Sequence, residues 1–282
     1  MNDLTFQSLL PEIQNWLRED DLDRNFHYIK SLPTHPVNLQ LKIKSPLILA
    51  GADYFAATFK ALGAQENFNF LNECEGRKFT GNEVIHFPKS LPFNIAVTAE
   101  RLALNLLQHA SSIATWTNHH VEKSKNYGIK ILDTRKTTPG LRSLEKYAVR
   151  VGGGFNHRLG QTDSWMIKDN HKSSLGGLEG AWKFFVSQGA FYNNTIVEIH
   201  NLTELTEAIK LGMTHVMLDN FSPENIKEAV KLKKASMVFE ISGGIRLENL
   251  DNYLIEGVDA ISIGALTNSA PRVDLSLKFK EV

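Results

Sequence analysis

Apolar residues recur along the chain first in mixed patterns and then in a regular one, and the change divides it. Leu4, Leu9, Leu10, Ile13, Trp16 and Leu17 fall at helical spacing, and Pro11, suited to a first helical position, is expected to mark the helix start. Between residues 37 and 97, short apolar or alternating runs separated by Gly, Pro and Asn ("LQLKIKSPLILAG", "NFNFLNECEG", "EVIHF") predict strands. "YFAATFKALG" predicts a helix closed by Gly63. "TAERLALNLLQHASSIATWTNHHVEKSKN" then places Leu102, Leu106, Ile113 and Val121 on one stripe of a long helix with Thr98 as its N-cap. A domain boundary is expected near the second half of that helix.

From about residue 128 the pattern becomes strand, loop, helix, repeated. Apolar runs "GIKIL", "TIVEIH", "HVMLDN", "MVFEIS" and "AISIG" read as strands. Ser222-Pro223 offers an N-cap followed by Pro at the first helical position, and Gly212 and Gly257 stand where helices stop. The repeat is regular, with 21 residues from Glu198 to Asp219 and 22 from Ser242 to Gly264. Strands this apolar, each followed by a helix, imply a parallel sheet covered by helices, either a closed barrel or an open doubly wound sheet. In both, chemistry belongs at the C-terminal ends of the strands.

Composition narrows the class. A chain of 282 residues, 42% hydrophobic and 22% charged, is an ordinary soluble globular protein of one large or two ordinary domains. The formal net charge is zero, so nothing global favours nucleic acid or an acidic membrane surface. The single cysteine, Cys74, permits no intrachain disulfide and fits a reducing compartment, and nothing near it suggests an activated thiol. The acidic N-terminus is not a secretory signal, and no apolar run approaches the roughly 20 residues of a membrane span. A cytoplasmic protein is expected.

Local charge changes the picture. Between Asp133 and Lys172 there are eight Lys/Arg against four Asp/Glu. Within it, "DTRKTTPGLR" ends a strand on adjacent Arg135 and Lys136, a pair poorly tolerated at a half-buried strand end unless an anion sits between them. The other strand ends supply His157 and Arg158 of "GGGFNHRLG", Lys168, Glu198, Asp219, Ser242-Gly243-Gly244 and Gly264. Taken singly, a strand-end Glu is a cap or a salt-bridge partner, and Gly-Gly is a turn. Together they converge on one rim. Five cationic or potentially cationic groups (Arg135, Lys136, His157, Arg158, Lys168) suit a ligand with several carboxylates or phosphates. Glu198 and Asp219 suit Mg²⁺ completed by substrate phosphate, and the glycines suit close approach of backbone N–H groups to a phosphate. His119-His120 reads as a solvated pair at a helix end, the ten His residues show no zinc spacing, and "KLKKAS" (231–236) reads as a solvated helix face.

"ERLALNLLQHASSIAT", "DTRKTTPGLR", "GGGFNHRLGQTDSWMIKDNH", "VMLDNF", "FEISGGI" and "SIGALTNSAP", in this order from about residue 47 to the C-terminus, resemble the quinolinate phosphoribosyltransferases, also called nicotinate-nucleotide pyrophosphorylases (carboxylating). The resemblance implies an α/β sandwich over 1–115, joined by the segment 270–282, then an incomplete α/β (TIM-like) barrel over 116–269. It implies a homodimer, or a higher assembly of such dimers, with each site completed by the other subunit. It implies that quinolinate, phosphoribosyl pyrophosphate and Mg²⁺ give nicotinate mononucleotide, pyrophosphate and CO₂. By position, Arg135, His157, Arg158 and Lys168 would hold the quinolinate dianion, with Arg101 supplied in trans. Lys136, Glu198 and Asp219 would handle the Mg-pyrophosphate and ribose, and Ser242, Gly243, Gly244 and Gly264 the 5′-phosphate region. Thr134 and Asn268 complete the substrate-binding set.

The chain departs from the family pattern at several positions. "EDDLDRNFHY" lacks a Gly-Asp-Ile-Thr-like stretch, His200 stands where a second acid is common, Gln161 and Ser112 replace a usual Leu and Gly, and Asn268 occupies a position where many members have His. Competing readings are a related phosphoribosyltransferase with another acidic aromatic substrate, a Schiff-base lyase using Lys136 or Lys168, and a non-catalytic metabolite-binding dimer. Five anion-binding groups exceed what an aldol site needs, and idle polar strand ends would be required by the last.

Overall fold

The computed structural model describes residues 1–20, 26–189 and 194–282, with Phe26 described in its backbone alone. Its residues divide into two compact units. The first comprises Met1–Trp116, Ser143–Gly152 and Ala270–Val282, and the second Thr117–Arg142 and Gly153–Ser269. The segment 143–152, inside the stretch that the sequence suggests is barrel, therefore groups with the first unit.

In the first unit, β1 (Pro36–Ile43) alternates strictly, burying Val37, Leu39, Leu41 and Ile43 on one face. Short strands β2 (Leu47–Ile48) and β3 (Lys78–Phe79) pair antiparallel with each other. Strands β4 (Glu83–His86) and β5 (Leu91–Pro92) pair antiparallel with β1, as does the C-terminal strand Leu275–Glu281, in register from Val37 opposite Glu281 to Ile43 opposite Leu275. That long register explains why the chain's last residues return to the first unit. The apolar face of the sheet shares one core with Phe55 and Phe59 of the helix Ala52–Ala61 and with Phe68 and Phe87. Each such side chain contributes about 1.5–3 kcal/mol by burial.

Several local expectations are corrected. The first helix runs Asp3–Leu17 with Pro11 inside it, because Asn2 supplies the cap by accepting from the Thr5 N–H at 2.8 Å. "NFNFLNECEG" is not a strand: the Asn67 side chain accepts from Asn69 N at 2.9 Å, starting the short helix Asn69–Asn72, and Phe68 and Leu71 are buried three residues apart. The long helix starts at Phe93, so Thr98 lies within it, its hydroxyl donating to Asn94 O. His120 is fully buried and only His119 is exposed, so the two do not form a solvated pair. The stretch "EDDLDRNFHY" falls in part on 21–25, outside the described residues.

The second unit is built on six parallel strands, β6 (Lys130–Leu132), β7 (Trp165–Ile167), β8 (Thr195–Ile199), β9 (His215–Asp219), β10 (Val238–Ser242) and β11 (Ala260–Ser262). Their spatial order is β6-β11-β10-β9-β8-β7; among the described residues β6 and β7 do not pair with each other, and β6 carries on its outer side only a single parallel bridge from Leu132 to Phe155, which makes an incomplete barrel. Helices Gly177–Gln188, Leu202–Lys210 and Pro223–Leu232 connect consecutive strands. Asn201 caps the second by accepting from Glu204 N, and Ser222 caps the third ahead of Pro223. Lys233 is not part of a solvated basic face, since its ammonium donates to Gly257 O at 2.8 Å and Asp259 Oδ2 at 2.6 Å. Because all six strands run the same way, every C-terminal end lies on one edge. No described helix is long and apolar enough to cross a membrane.

Candidate active site

That edge holds two cavities. The larger, about 470 Å³, is lined by Thr134, Arg135, Lys136, His157, Arg158, Met166, Lys168, Glu198, Met217, Asp219, Ser242 and Ser262. The smaller, about 290 Å³, shares Thr134, Lys136, Ser242 and Ser262 and adds Gly243, Gly244, Ile245, Arg246, Gly264, Ala265, Asn268 and Ser269. Every site residue expected from sequence lines one of them except Arg101, which sits exposed on the helix Phe93–Ser124 in the first unit.

The strand ends are braced before they carry chemistry. Asp133, fully buried just past β6, accepts from His157 N at 2.8 Å and Asn156 Nδ2 at 2.6 Å, which ties the 153–158 loop to the strand that presents Arg135 and Lys136. Thr134 Oγ1 accepts from Lys136 N at 3.0 Å, and Lys136 O accepts from Thr267 Oγ1 at 2.9 Å. Arg158 donates through its guanidinium to Ser164 O at 3.0 Å. Desolvation and the neighbouring Arg135 charge both lower the Arg158 pKa, with Glu198 partly offsetting them. The two guanidiniums thus face a cavity short of negative charge.

Lys168 at the end of β7 is ion-paired with Glu198 of β8. Behind them the buried Lys172 ammonium donates to Glu198 O at 3.2 Å and Glu204 Oε2 at 2.9 Å and lies 3.2 Å from Asp169 Oδ1. His200 lies between two acids, with Nε2 2.5 Å from Asp169 Oδ1 and Nδ1 3.8 Å from Asp219 Oδ2. Desolvation raises the Asp169 pKa, but the Lys172 hydrogen bond and the His200 and Lys172 charges outweigh it and hold the carboxyl below its ordinary value.

Two glycines are constrained for different reasons and to different degrees. At Gly243 φ is +105°, and a Cβ there would stand 2.2 Å from Asn220 Oδ1 and 2.7 Å from Asn220 N. At Gly264 φ is an ordinary −64°, and the constraint is space, since a Cβ would meet the Lys136 stem at 3.0 Å. The helix that follows Gly264 is only Ala265–Asn268, so the smaller cavity is bounded by loop backbone more than by a helix terminus. Asn268 Oδ1 accepts from Ser269 Oγ at 2.7 Å, which leaves the amide NH₂ as its outward donor.

A family model described as quinolinate phosphoribosyl transferase, C-terminal domain, matches residues 113–278, more than half of the chain. The chain belongs to that family. A relative from Bacillus subtilis (strain 168), called a probable nicotinate-nucleotide pyrophosphorylase [carboxylating], is 41% identical over 242 residues, covering 84% of this chain and 82% of the relative. The Homo sapiens nicotinate-nucleotide pyrophosphorylase [carboxylating] is 37% identical over 277 residues, covering 96% and 92%. The crystal structure of NadC from Streptococcus pyogenes covers 100% of both chains at 33% identity with a TM-score of 0.87.

For a quinolinate phosphoribosyl transferase family member, the residues that sequence reasoning missed share a signal. Met166, Met217, Glu240 and Ser262 each lie two positions before an expected residue, on Lys168, Asp219, Ser242 and Gly264 respectively, and a strand puts i and i+2 on one face. Met166, Met217 and Ser262 line the larger cavity, and Glu240, whose Oε2 lies 3.2 Å from His157 Nε2, lies against that wall. Arg246 adds a cation to the smaller cavity. Among the described residues no group of three or more His, Cys, Asp or Glu side chains could hold a metal alone. The donor set, two carboxylates on neighbouring strands facing one cavity, fits a hard cation whose remaining ligands are phosphate oxygens and water.

Proposed function

We propose that this chain transfers the phosphoribosyl group of phosphoribosyl pyrophosphate to quinolinate with loss of CO₂, giving nicotinate mononucleotide and pyrophosphate in NAD biosynthesis. The carrying observation is the convergence of Arg135, Lys136, Arg158 and Lys168 with Glu198 and Asp219 on one cavity that opens into a glycine-lined second one. Arg135, Arg158 and Lys168 take the two carboxylates of quinolinate, which offsets the desolvation and the Arg135 charge that together lower the Arg158 pKa. To meet the substrate, Lys168 exchanges its bond to Glu198 for one to a carboxylate, which frees Glu198 to face the ribose.

Glu198 and Asp219 would hold Mg²⁺, which supplies charge neutralisation to the departing pyrophosphate. Lys136 stabilises the same leaving group, and the two carboxylates stabilise positive charge building at the ribose C1. Ser242, Gly243, Gly244, Gly264, Thr134 and Asn268 receive the 5′-phosphate side through hydroxyl, amide and backbone N–H donors. The cations around the pyridine ring then favour the carbanion left by decarboxylation next to the new pyridinium, which takes a proton from water to give the product C–H. The enzyme works in the cytoplasm as a homodimer, with Arg101 reaching the partner's quinolinate.

Turnover of quinolinate against nicotinate tests this. A monoanion leaves at least one of Arg135, Arg158 and Lys168 covered by ligand but unmatched, at about 1–3 kcal/mol each, so nicotinate should be used at least about tenfold worse in kcat/KM. Equal turnover of both acids, or of neither, would overturn the proposal.

A further inference from the structure

Lys172 is a buried cation that lines neither cavity. It stands on the short helix Asp169–Ser174 that follows β7, with its side chain only 9% exposed, so its three ammonium hydrogens need acceptors within the protein. Three are at hand: Glu204 Oε2 at 2.9 Å, Glu198 O at 3.2 Å and Asp169 Oδ1 at 3.2 Å. The bond to Glu198 is to the main chain, and it falls where the sheet pairing stops. Strand β7 pairs with β8 from Trp165 opposite Thr195 to Ile167 opposite Val197, one residue short of Glu198. Beyond that point the chain turns from β7 into the helix, and the Lys172 ammonium meets the Glu198 carbonyl where a strand N–H would otherwise do so. Glu204 Oε2, the partner of the ammonium, also accepts the His200 N–H at 3.1 Å. One ion pair therefore holds main-chain groups on both sides of Ile199, the last residue of β8.

We infer that Lys172 is a positioning residue for Glu198, acting through the Glu198 carbonyl to fix the strand end from which that carboxylate works. The need arises from the exchange of partners proposed for Glu198. Its side chain leaves Lys168 to face the ribose, so Lys168 cannot keep it in place through the reaction. The backbone must be held by a group that takes no part, and Lys172 lies outside the cavity. The kinetic consequence rests on the phosphoribosyl-transfer reading, whereas the clamp itself does not. Methionine at position 172 keeps an unbranched apolar stem but leaves Glu198 O without its donor and the Glu204 carboxylate without its cation. Asp169, 67% exposed, is served by water. Adding Glu204→Gln removes the stranded charge, while the amide oxygen still accepts from the His200 N–H. Breaking a buried pair is more costly than replacing both partners, so the double variant regains stability without regaining the hold on Glu198 O.

The test uses the full chain, with thermal unfolding, steady-state kinetics and hydrogen exchange of the segment 195–201 read by mass spectrometry, on the wild type, Lys172→Met and Lys172→Met/Glu204→Gln. Lys172→Met should lower Tm and reduce kcat about tenfold or more, while KM for quinolinate, which meets Arg135, Arg158 and Lys168, stays within about threefold. Exchange in 195–201 should become at least about threefold faster. In the double variant Tm should recover part of the loss while kcat and exchange stay at the level of Lys172→Met. A kcat that recovers together with Tm would make Lys172 a stabilising residue only and overturn the inference. So would a Lys172→Met enzyme whose kcat lies within about threefold of the wild type, a loss confined to KM for quinolinate, or unchanged exchange. Should Lys172→Met fail to fold, the double variant decides alone, and a kcat there within about threefold of the wild type would overturn the inference. Absence of any quinolinate turnover by the wild type would sink the reaction assignment while leaving the clamp to be decided by hydrogen exchange.

Discussion

Replacing Gly243 and Gly244 by alanine, one at a time, separates two costs that the sequence "SGG" makes look alike. Both glycines have positive φ, +105° and +61°. The second lies near the left-handed helical region with nothing within 4 Å of where an added methyl would stand, so Gly244→Ala should cost about 1–2 kcal/mol of stability. The first lies beyond that region, at about 1–3 kcal/mol for strain alone. Its Cβ would also collide with Asn220, whose N–H donates to Ser242 O at 2.8 Å and whose amide donates to Asp219 Oδ2 at 2.8 Å. Displacing Asn220 forfeits both bonds, about 0.5–1.5 kcal/mol each. Gly243→Ala should therefore lose about 2–6 kcal/mol, and kcat/KM should fall more than about tenfold because Asp219 loses its orienting partner. Urea unfolding followed by circular dichroism gives the first quantity and initial rates give the second. Equal losses for the two variants, or an active Gly243→Ala, would refute the close-approach argument.

Other outcomes follow from the same site. Asn268→His should change kcat by no more than about tenfold, on the order of 1.4 kcal/mol, since a hydrogen bond is all the amide supplies; a large gain with a new pH dependence near the ordinary His pKa of roughly 6.5 would show otherwise. Glu198→Ala and Asp219→Ala should each abolish most activity and the double variant should cost little more, whereas fully additive losses would mean that the two carboxylates act independently. Mixing inactive Arg101→Ala with inactive Lys136→Ala should recover activity once subunit exchange is confirmed by mass, and no recovery would place Arg101 outside the site. Burial pushes the Cys74 thiol pKa up, so less thiolate is present at a given pH. Its alkylation at pH 8 should be at least about threefold slower than that of a free cysteine, with the gap narrowing as pH rises; labelling as fast as the free amino acid would contradict this.

The sequence by itself determined the parallel strand-helix repeat and the rim of charged strand ends. The reason is local: apolar runs bounded by Ser222-Pro223 and Gly212 announce element and terminus together, and parallel strands must put Lys168, Glu198, Asp219 and Ser242 on the same edge. Gly257 ends no helix, because the link from β10 to β11 carries only the short 3₁₀ turn Leu250–Tyr253. Tertiary structure alone decided what each side chain does there. Aromatic alternation in "NFNF" favours a strand, but the buried core took Phe68 and Leu71 from a helical turn. His119 and His120 are indistinguishable as letters, and only the helix's rotation against its surroundings buries one of them. Lys233 belongs to a basic run until Asp259, far along the chain, comes within 2.6 Å. Glu240 reads as a strand residue until folding brings Ser262 and His157 to its two oxygens, because a partner contributed by another strand leaves no trace in local periodicity.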